Sequence, residues 1–172
     1  MVKLVPLEKI IEFSNDGISD YLTGSPAPKI FFNNLAREIA KSKRKFQAIS
    51  IITVRISPPL VRPKNSTKIR REELLNKNKV FEIELIDIGK CLKAQMRSGD
   101  FYSRLAENGF WICIQGDRAE AEKASERFAL HTSKVSDTRS KIRSIFYAVS
   151  EWDTRMNQKE WIHEIDGVFF AP

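Results

Sequence analysis

The run Ala48-Ile49-Ser50-Ile51-Ile52-Thr53-Val54-Arg55-Ile56 constrains this chain more than any other stretch. It is dense in β-branched residues and almost uncharged, so it reads as a central strand buried on both faces. Pro58-Pro59 ends it, because neither proline can donate to a β-ladder. The rest of the chain must supply the sheet and the helices that cover this strand.

At 172 residues the chain is long enough for one well-cored domain, and residues 1–172 are read as that single domain. With 42% hydrophobic and 30% charged residues the composition is that of a folded protein. No run of about 18 apolar residues exists to span a membrane. The N-terminus alternates charged and apolar residues (Lys3, Glu8, Lys9, Glu12) and lacks the apolar core of a signal peptide, which points to the cytoplasm. Cys91 and Cys113 are too few for a disulfide framework or a zinc site and are read as reduced packing residues.

The net charge of +7 is concentrated in residues 62 to 79, which hold seven Lys or Arg against two Glu. A solvated basic loop is the plainest account of that cluster. A nucleotide, an acidic protein partner and nucleic acid are the alternatives. The last is disfavoured, since residues 41 to 45 and 62 to 79 lack interleaved aromatics for base stacking.

Taken in order, residues 5 to 14 have helical spacing, which makes residues 1–19 an N-terminal helix closed by the break Asn15-Asp16-Gly17. A Gly- and Pro-containing loop from Asp20 to Lys29 leads into a helix over 30–40. After the central strand, residues 58–79 read as an irregular basic insertion with a helical turn at 68–75. Val80, Ile83, Leu85, Ile88, Leu92 and Met96 then mark a second long helix, with Gly99 just past its end. A hairpin follows, its second strand the apolar run Trp111-Ile112-Cys113-Ile114. Asp117 and Glu120 form a capping-box pattern for a helix over 119–129. Residues 144–149 are the last strand, and 153–170 a final helix, or a helix with a short extended end. The expected class is α+β, with a mainly antiparallel sheet and a ferredoxin-like β-α-β-β-α-β core flanked by helices.

Two motifs sit in this frame. Asp20-Tyr21-Leu22-Thr23-Gly24 opens the domain, and Arg104-Leu105-Ala106-Glu107-Asn108-Gly109-Phe110 forms the hairpin turn. The chain resembles the GGDEF (diguanylate cyclase, nucleotidyl-cyclase-like) domain from about Asp20 to its last residues. The first motif matches that family's Asp-x-Leu-Thr-Gly. The second falls where the family has Arg-x-Gly-Gly-Asp/Glu-Glu-Phe, with only Arg104 and Phe110 kept.

The departures carry chemistry. The resemblance implies cyclases that join two GTP molecules with Mg²⁺ held by carboxylates, one of them at the end of the first strand. Arg55 stands at that position, and a fixed cation there repels a metal. Ala106 and Glu107 replace the two glycines, and Asn108 and Gly109 replace the two acids. The implied domain is not an enzyme and holds no metal or cofactor. Glu82 falls where the family has a base-contacting Asp.

Arg97-Ser98-Gly99-Asp100 matches the family's allosteric product motif Arg-x-x-Asp, five residues before the turn. The ligand so implied is cyclic di-GMP. An Arg can fork onto guanine N7 and O6, and a carboxylate can accept from N1 and N2 protons. The family completes this site with an Arg on the following helix, which Arg127 matches, with Arg118 as the fallback. Taken alone, the motif also fits helix capping and a weak surface ion pair.

The resemblance therefore implies a catalytically inert, stand-alone cyclic di-GMP receptor that signals through an unidentified protein partner or a ligand-bridged homodimer. The alternative is a nucleotide-independent interaction scaffold. His131 and His163 are isolated, and Trp111, Trp152 and Trp161 read as packing residues.

Overall fold

A computed structural model describes residues 13–57, 71–139 and 144–169. In chain order the elements are α1 (Pro28–Lys45), β1 (Ile49–Ile56), α2 (Arg71–Ala94), β2 (Phe101–Ala106), β3 (Gly109–Gln115), α3 (Arg118–Arg139), β4 (Ile145–Glu151) and α4 (Gln158–Phe169). The strands form one antiparallel sheet in the order β2-β3-β1-β4. This is the expected α+β architecture with its β-α-β-β-α-β core.

β1 lies between β3 and β4, and its side chains divide by parity. Ile49 and Ile51 join Phe31, Leu35 and Ile39 of α1 and Trp161 and Ile165 of α4 in one core. Ile52, Val54 and Ile56 join Phe81, Leu85, Ile88 and Leu92 of α2 and Ala121, Ala124 and Phe128 of α3 in the other. A strand facing a core on each side has no room for alternating polar residues, which is why the run is nearly all apolar.

Local chemistry sets most element ends. Pro28 opens α1, where its missing N–H costs nothing, and Lys43, Arg44 and Lys45 complement the carbonyl end. Asp117 and Glu120 form the expected capping box: Glu120 N–H donates to Asp117 Oδ1 at 2.9 Å, and Asp117 N–H to Glu120 Oε2 at 3.2 Å. A second box starts α4, where Asn157 and Glu160 exchange bonds of 3.0 and 2.8 Å.

Four expectations are corrected. Residues 71–79 belong to α2 and not to an irregular basic insertion. They contain no Gly or Pro, and Arg, Glu, Leu and Lys are good helix formers, so charge density there marks a helix. Residues 13–19 are not helical: Asn15 bridges Asp20, and Ser19 bridges Pro26. The rest of the expected N-terminal helix, and residues 58–70 of the insertion, lie outside the described residues. α3 runs on to Arg139, past the expected end at 129. Thr132 and Ser133 bond back to the carbonyls of Phe128 (2.8 Å) and Leu130 (2.9 Å), so their hydroxyls are satisfied within the helix. Residues 153–157 lie outside the last helix, which starts after the Asn157 cap.

Candidate functional site

The turn between β2 and β3 is held by its own chain on three sides. Ala106 pairs with Gly109 across Glu107-Asn108, with a register shift between Arg104 and Ala106. Among the described residues only Phe46 has a positive φ outside glycine, so Glu107 and Asn108 close the turn without the left-handed backbone that favours glycine. A local irregularity in β2 takes its place.

The first restraint is Arg104, whose side chain is wholly buried. Its Nε and Nη2 donate to the Glu107 carbonyl at 3.2 and 2.7 Å. Nη1 donates to Asp20 Oδ1 at 3.0 Å, and Asp20 is also buried. Burial pulls the guanidinium below the ordinary arginine value, opposed by the charge of Asp20 and, more weakly, of Glu107 and Glu82. An arginine stays protonated under such a shift, so the pair is ionic. Asp20 is itself set by the opening loop: its Oδ2 accepts from Thr23 N–H and Thr23 Oγ1, both at 2.7 Å. Ser25 Oγ accepts the Arg104 N–H at 3.2 Å, and Phe13 presents its ring 5.2 Å from the guanidinium carbon. Thr and Ser at fixed offsets from an Asp favour such compact side-chain-to-backbone turns.

The second restraint is Asn108, which clasps the end of β1 from both sides. Its carbonyl accepts from Ile56 N–H at 2.8 Å, and its Nδ2 donates to the Ile56 carbonyl at 2.9 Å. The third is Phe110, buried against the Cα of Gly89 on α2, where an added Cβ would lie 3.4 Å from the ring. Arg55 pairs across the ladder with Gly109 on one side and Phe146 on the other, its guanidinium carbon 5.4 Å from the Phe146 ring. Glu82 is half-buried on α2. Among the described residues, no three His, Cys, Asp or Glu side chains converge as a metal site would require.

A second constellation lies at the far end of α2. The helix stops at Ala94 and unwinds through Gln95 and Met96 into Arg97-Ser98-Gly99-Asp100. Asp100 Oδ2 accepts the Arg97 N–H at 2.8 Å, and Asp100 N–H donates to the Arg97 carbonyl at 3.1 Å. Gly99, with φ +99°, supplies the left-handed step and lies against the Gln115 side chain. The Arg97 side chain is exposed. Arg127 of α3 reaches this part of the chain: its Nη2 donates to the Gln95 carbonyl at 3.2 Å, two residues before Arg97, while its buried Nε has no hydrogen-bond partner among the described residues.

The structure thus brings Arg127 to the Gln95 carbonyl, two residues before Arg97, within one chain. Arg118 is elsewhere, at the start of α3, where it pairs with Glu122 at 2.9 Å and its N–H reaches Glu151. Ala106 to Phe110 and Arg55 meet at the other end of the sheet. Asp20, Ser25 and Phe13 around Arg104 were not candidates from the sequence. The signal that could have found them is an Asp and an Arg at the matched ends of two motifs.

No family model and no curated protein matches the sequence. Solved structures do. The GGDEF domain of DgcB from Caulobacter crescentus, in complex with cyclic di-GMP, superposes with a TM-score of 0.70 over 93% of this chain and 92% of that one, at 12% identity. This chain has the fold of a GGDEF domain. A diguanylate cyclase protein from Thermotoga maritima gives 0.58 over 84% of this chain and 95% of its own, at 18% identity. The diguanylate cyclase SiaD from Pseudomonas aeruginosa, in complex with its activator SiaC, gives 0.66 over 87% and 55%, at 16% identity. In this GGDEF-like domain the Asn108 clasp and Arg55 occupy the turn end of the sheet, and the Arg97–Asp100 turn lies at the opposite end of α2. Among the described residues no helix is long and apolar enough to cross a membrane.

Proposed function

We propose that this GGDEF-like domain is a receptor for cyclic di-GMP that does not make it. The observation that carries this reading is the turn of exposed Arg97 and the Asp100 carboxylate, with Arg127 of α3 bonding the Gln95 carbonyl two residues before it. Arg97 offers a planar fork of donors to a guanine edge or a phosphate. Asp100 uses one oxygen in its turn, and its Oδ1 accepts no hydrogen bond among the described residues, which suits guanine N1 and N2 protons. The DgcB structure, solved with cyclic di-GMP, supports the choice of ligand.

Loss of cyclase activity is supported at the turn. Arg55 stands where the resemblance implies a metal carboxylate, and Asn108, in place of one of the turn's two acids, is committed in both directions to Ile56. A cation at a Mg²⁺ position opposes the charge that metal-assisted transfer requires. Signal output is proposed to run through protein contacts; that a diguanylate cyclase can bind a protein regulator is seen in SiaD, solved in complex with its activator SiaC.

One observation favours the second reading, a scaffold that binds no nucleotide. Asp100 capping Arg97 N–H and Arg127 bonding the Gln95 carbonyl both have a purely structural use at a helix end. Thermal-shift measurements with cyclic di-GMP and with GTP plus Mg²⁺ separate the two. A receptor gains melting temperature with cyclic di-GMP in a dose-dependent way, whereas a scaffold gains none with either.

A further inference from the structure

The two edges of the sheet are finished differently. On the β2 edge, Ser103 Oγ donates to the Pro26 carbonyl at 2.5 Å and Ser25 Oγ accepts the Arg104 N–H, so the opening loop covers it. On the β4 edge the neighbouring helices bond side chains only, Trp161 Nε1 donating to Ser150 Oγ at 2.8 Å and Arg118 N–H to the Glu151 carboxylate at 2.9 Å. The ladder register fixes which groups face out. Trp152 N–H donates to the Ile49 carbonyl and Ser57 N–H to the Ser144 carbonyl, so the even-numbered residues of β4 turn their backbone groups to β1. Those of Ile145, Tyr147, Val149 and Glu151 face away from the sheet by alternation. No backbone bond to these outward groups forms among the described residues.

Natural edge strands are blunted by lysine, proline, bulges or a covering loop. The sequence of β4, IFYAVSE, has no lysine or proline, and its register against β1 runs without a shift. A groove of about 660 Å³ follows this edge between α3 and α4. Among the described residues its walls include Ile165 and Val168 of α4, the latter well exposed, and its rim carries Glu122, Glu151 and Glu164 against Arg118. Arg118 is already paired with Glu122, and Glu151 accepts its N–H. The groove is therefore acidic on a chain whose net charge is +7.

We propose that the β4 edge accepts an extended, basic segment of a partner protein as a further strand. Main-chain bonds to Tyr147 and Val149 supply the pairing, apolar side chains at alternate positions pack on the exposed Val168, and lysine or arginine meets Glu151 and Glu164. A second copy of this chain is disfavoured as the occupant, because pairing β4 with β4 brings two acidic rims together.

The test uses the whole chain and a capped seven-residue peptide of alternating lysine and valine, with amide hydrogen exchange and fluorescence anisotropy. Binding is expected to slow exchange at Tyr147 and Val149, to weaken with added salt, and to vanish when the peptide is N-methylated at every second residue. Val149→Pro removes an outward N–H without touching the β1 ladder and should abolish binding. Glu164→Lys, on the exposed rim, should weaken it about tenfold, and this arm remains decisive if the proline variant does not fold. No slowing at Tyr147 and Val149, or unchanged affinity in the Glu164→Lys variant, overturns the proposal. Protection that grows with protein concentration and without peptide assigns the edge to a second copy and overturns it as well.

Discussion

Arg104 of β2 and Asp20 of the opening loop form an ion pair at 3.0 Å with both side chains buried. The pair joins the two sequence motifs of the chain, and Arg104 passes the restraint on to the turn through the Glu107 carbonyl. Asp20→Ala leaves the guanidinium buried without its counter-charge. The expected cost is about 3–5 kcal/mol, the usual penalty for breaking a buried pair from one side. Urea denaturation of the variant checks it, and a loss near zero would mean that water or another carboxylate replaces Asp20.

Rebuilding the turn alone should not produce a cyclase. In the combined variant Ala106→Gly, Glu107→Gly, Asn108→Asp and Gly109→Glu, Arg55 still lies opposite residue 109 in the ladder. Its cation remains against any divalent metal. Incubation with GTP and Mg²⁺, read by chromatography, is expected to give no cyclic di-GMP. Product formation would show that Arg55 does not decide the outcome.

Tyr147 sets a pH limit. Burial pushes its phenol up to about 12, partly offset by its short hydrogen bond with Thr132. The phenol of the unfolded chain ionises near pH 10, so above that value the unfolded state holds fewer protons than the folded one. The contribution is complete below about pH 10 and lost as pH rises towards about 12. Tyr147→Phe should flatten this part of the stability profile measured by denaturant unfolding. A profile identical to the parent would contradict the assignment.

If cyclic di-GMP bridges two copies through the Arg97 corner, mass by light scattering should double on adding the ligand. The Arg127→Ala variant should weaken that change. A binding signal without any change of mass would leave the receptor reading in place and remove the bridged dimer.

The fold was legible because its strongest signals are physical necessities. A nearly uncharged β-branched run can only be a strand with a core on each face, and Asp117 with Glu120 is a cap that the backbone requires. What was missed follows from the same logic. The helical character of 71–79 was hidden by its charge, and α3 beyond Ala129 by Thr132 and Ser133, whose hydroxyls are satisfied within the helix. For the candidate site, the family resemblance pointed to Arg97, Asp100 and the changed turn. It could not give the Arg127 bond to the Gln95 carbonyl, the Asn108 clasp on Ile56 or the burial of Arg104, since each joins elements far apart in the chain.

The central claim is tested most directly by isothermal titration of cyclic di-GMP into the parent protein and into Arg97→Ala and Asp100→Ala. The account predicts saturable binding to the parent, weakened at least about tenfold by each change, the scale expected for losing one guanine-reading group. No heat of binding with the parent, or equal affinity in all three proteins, would contradict it.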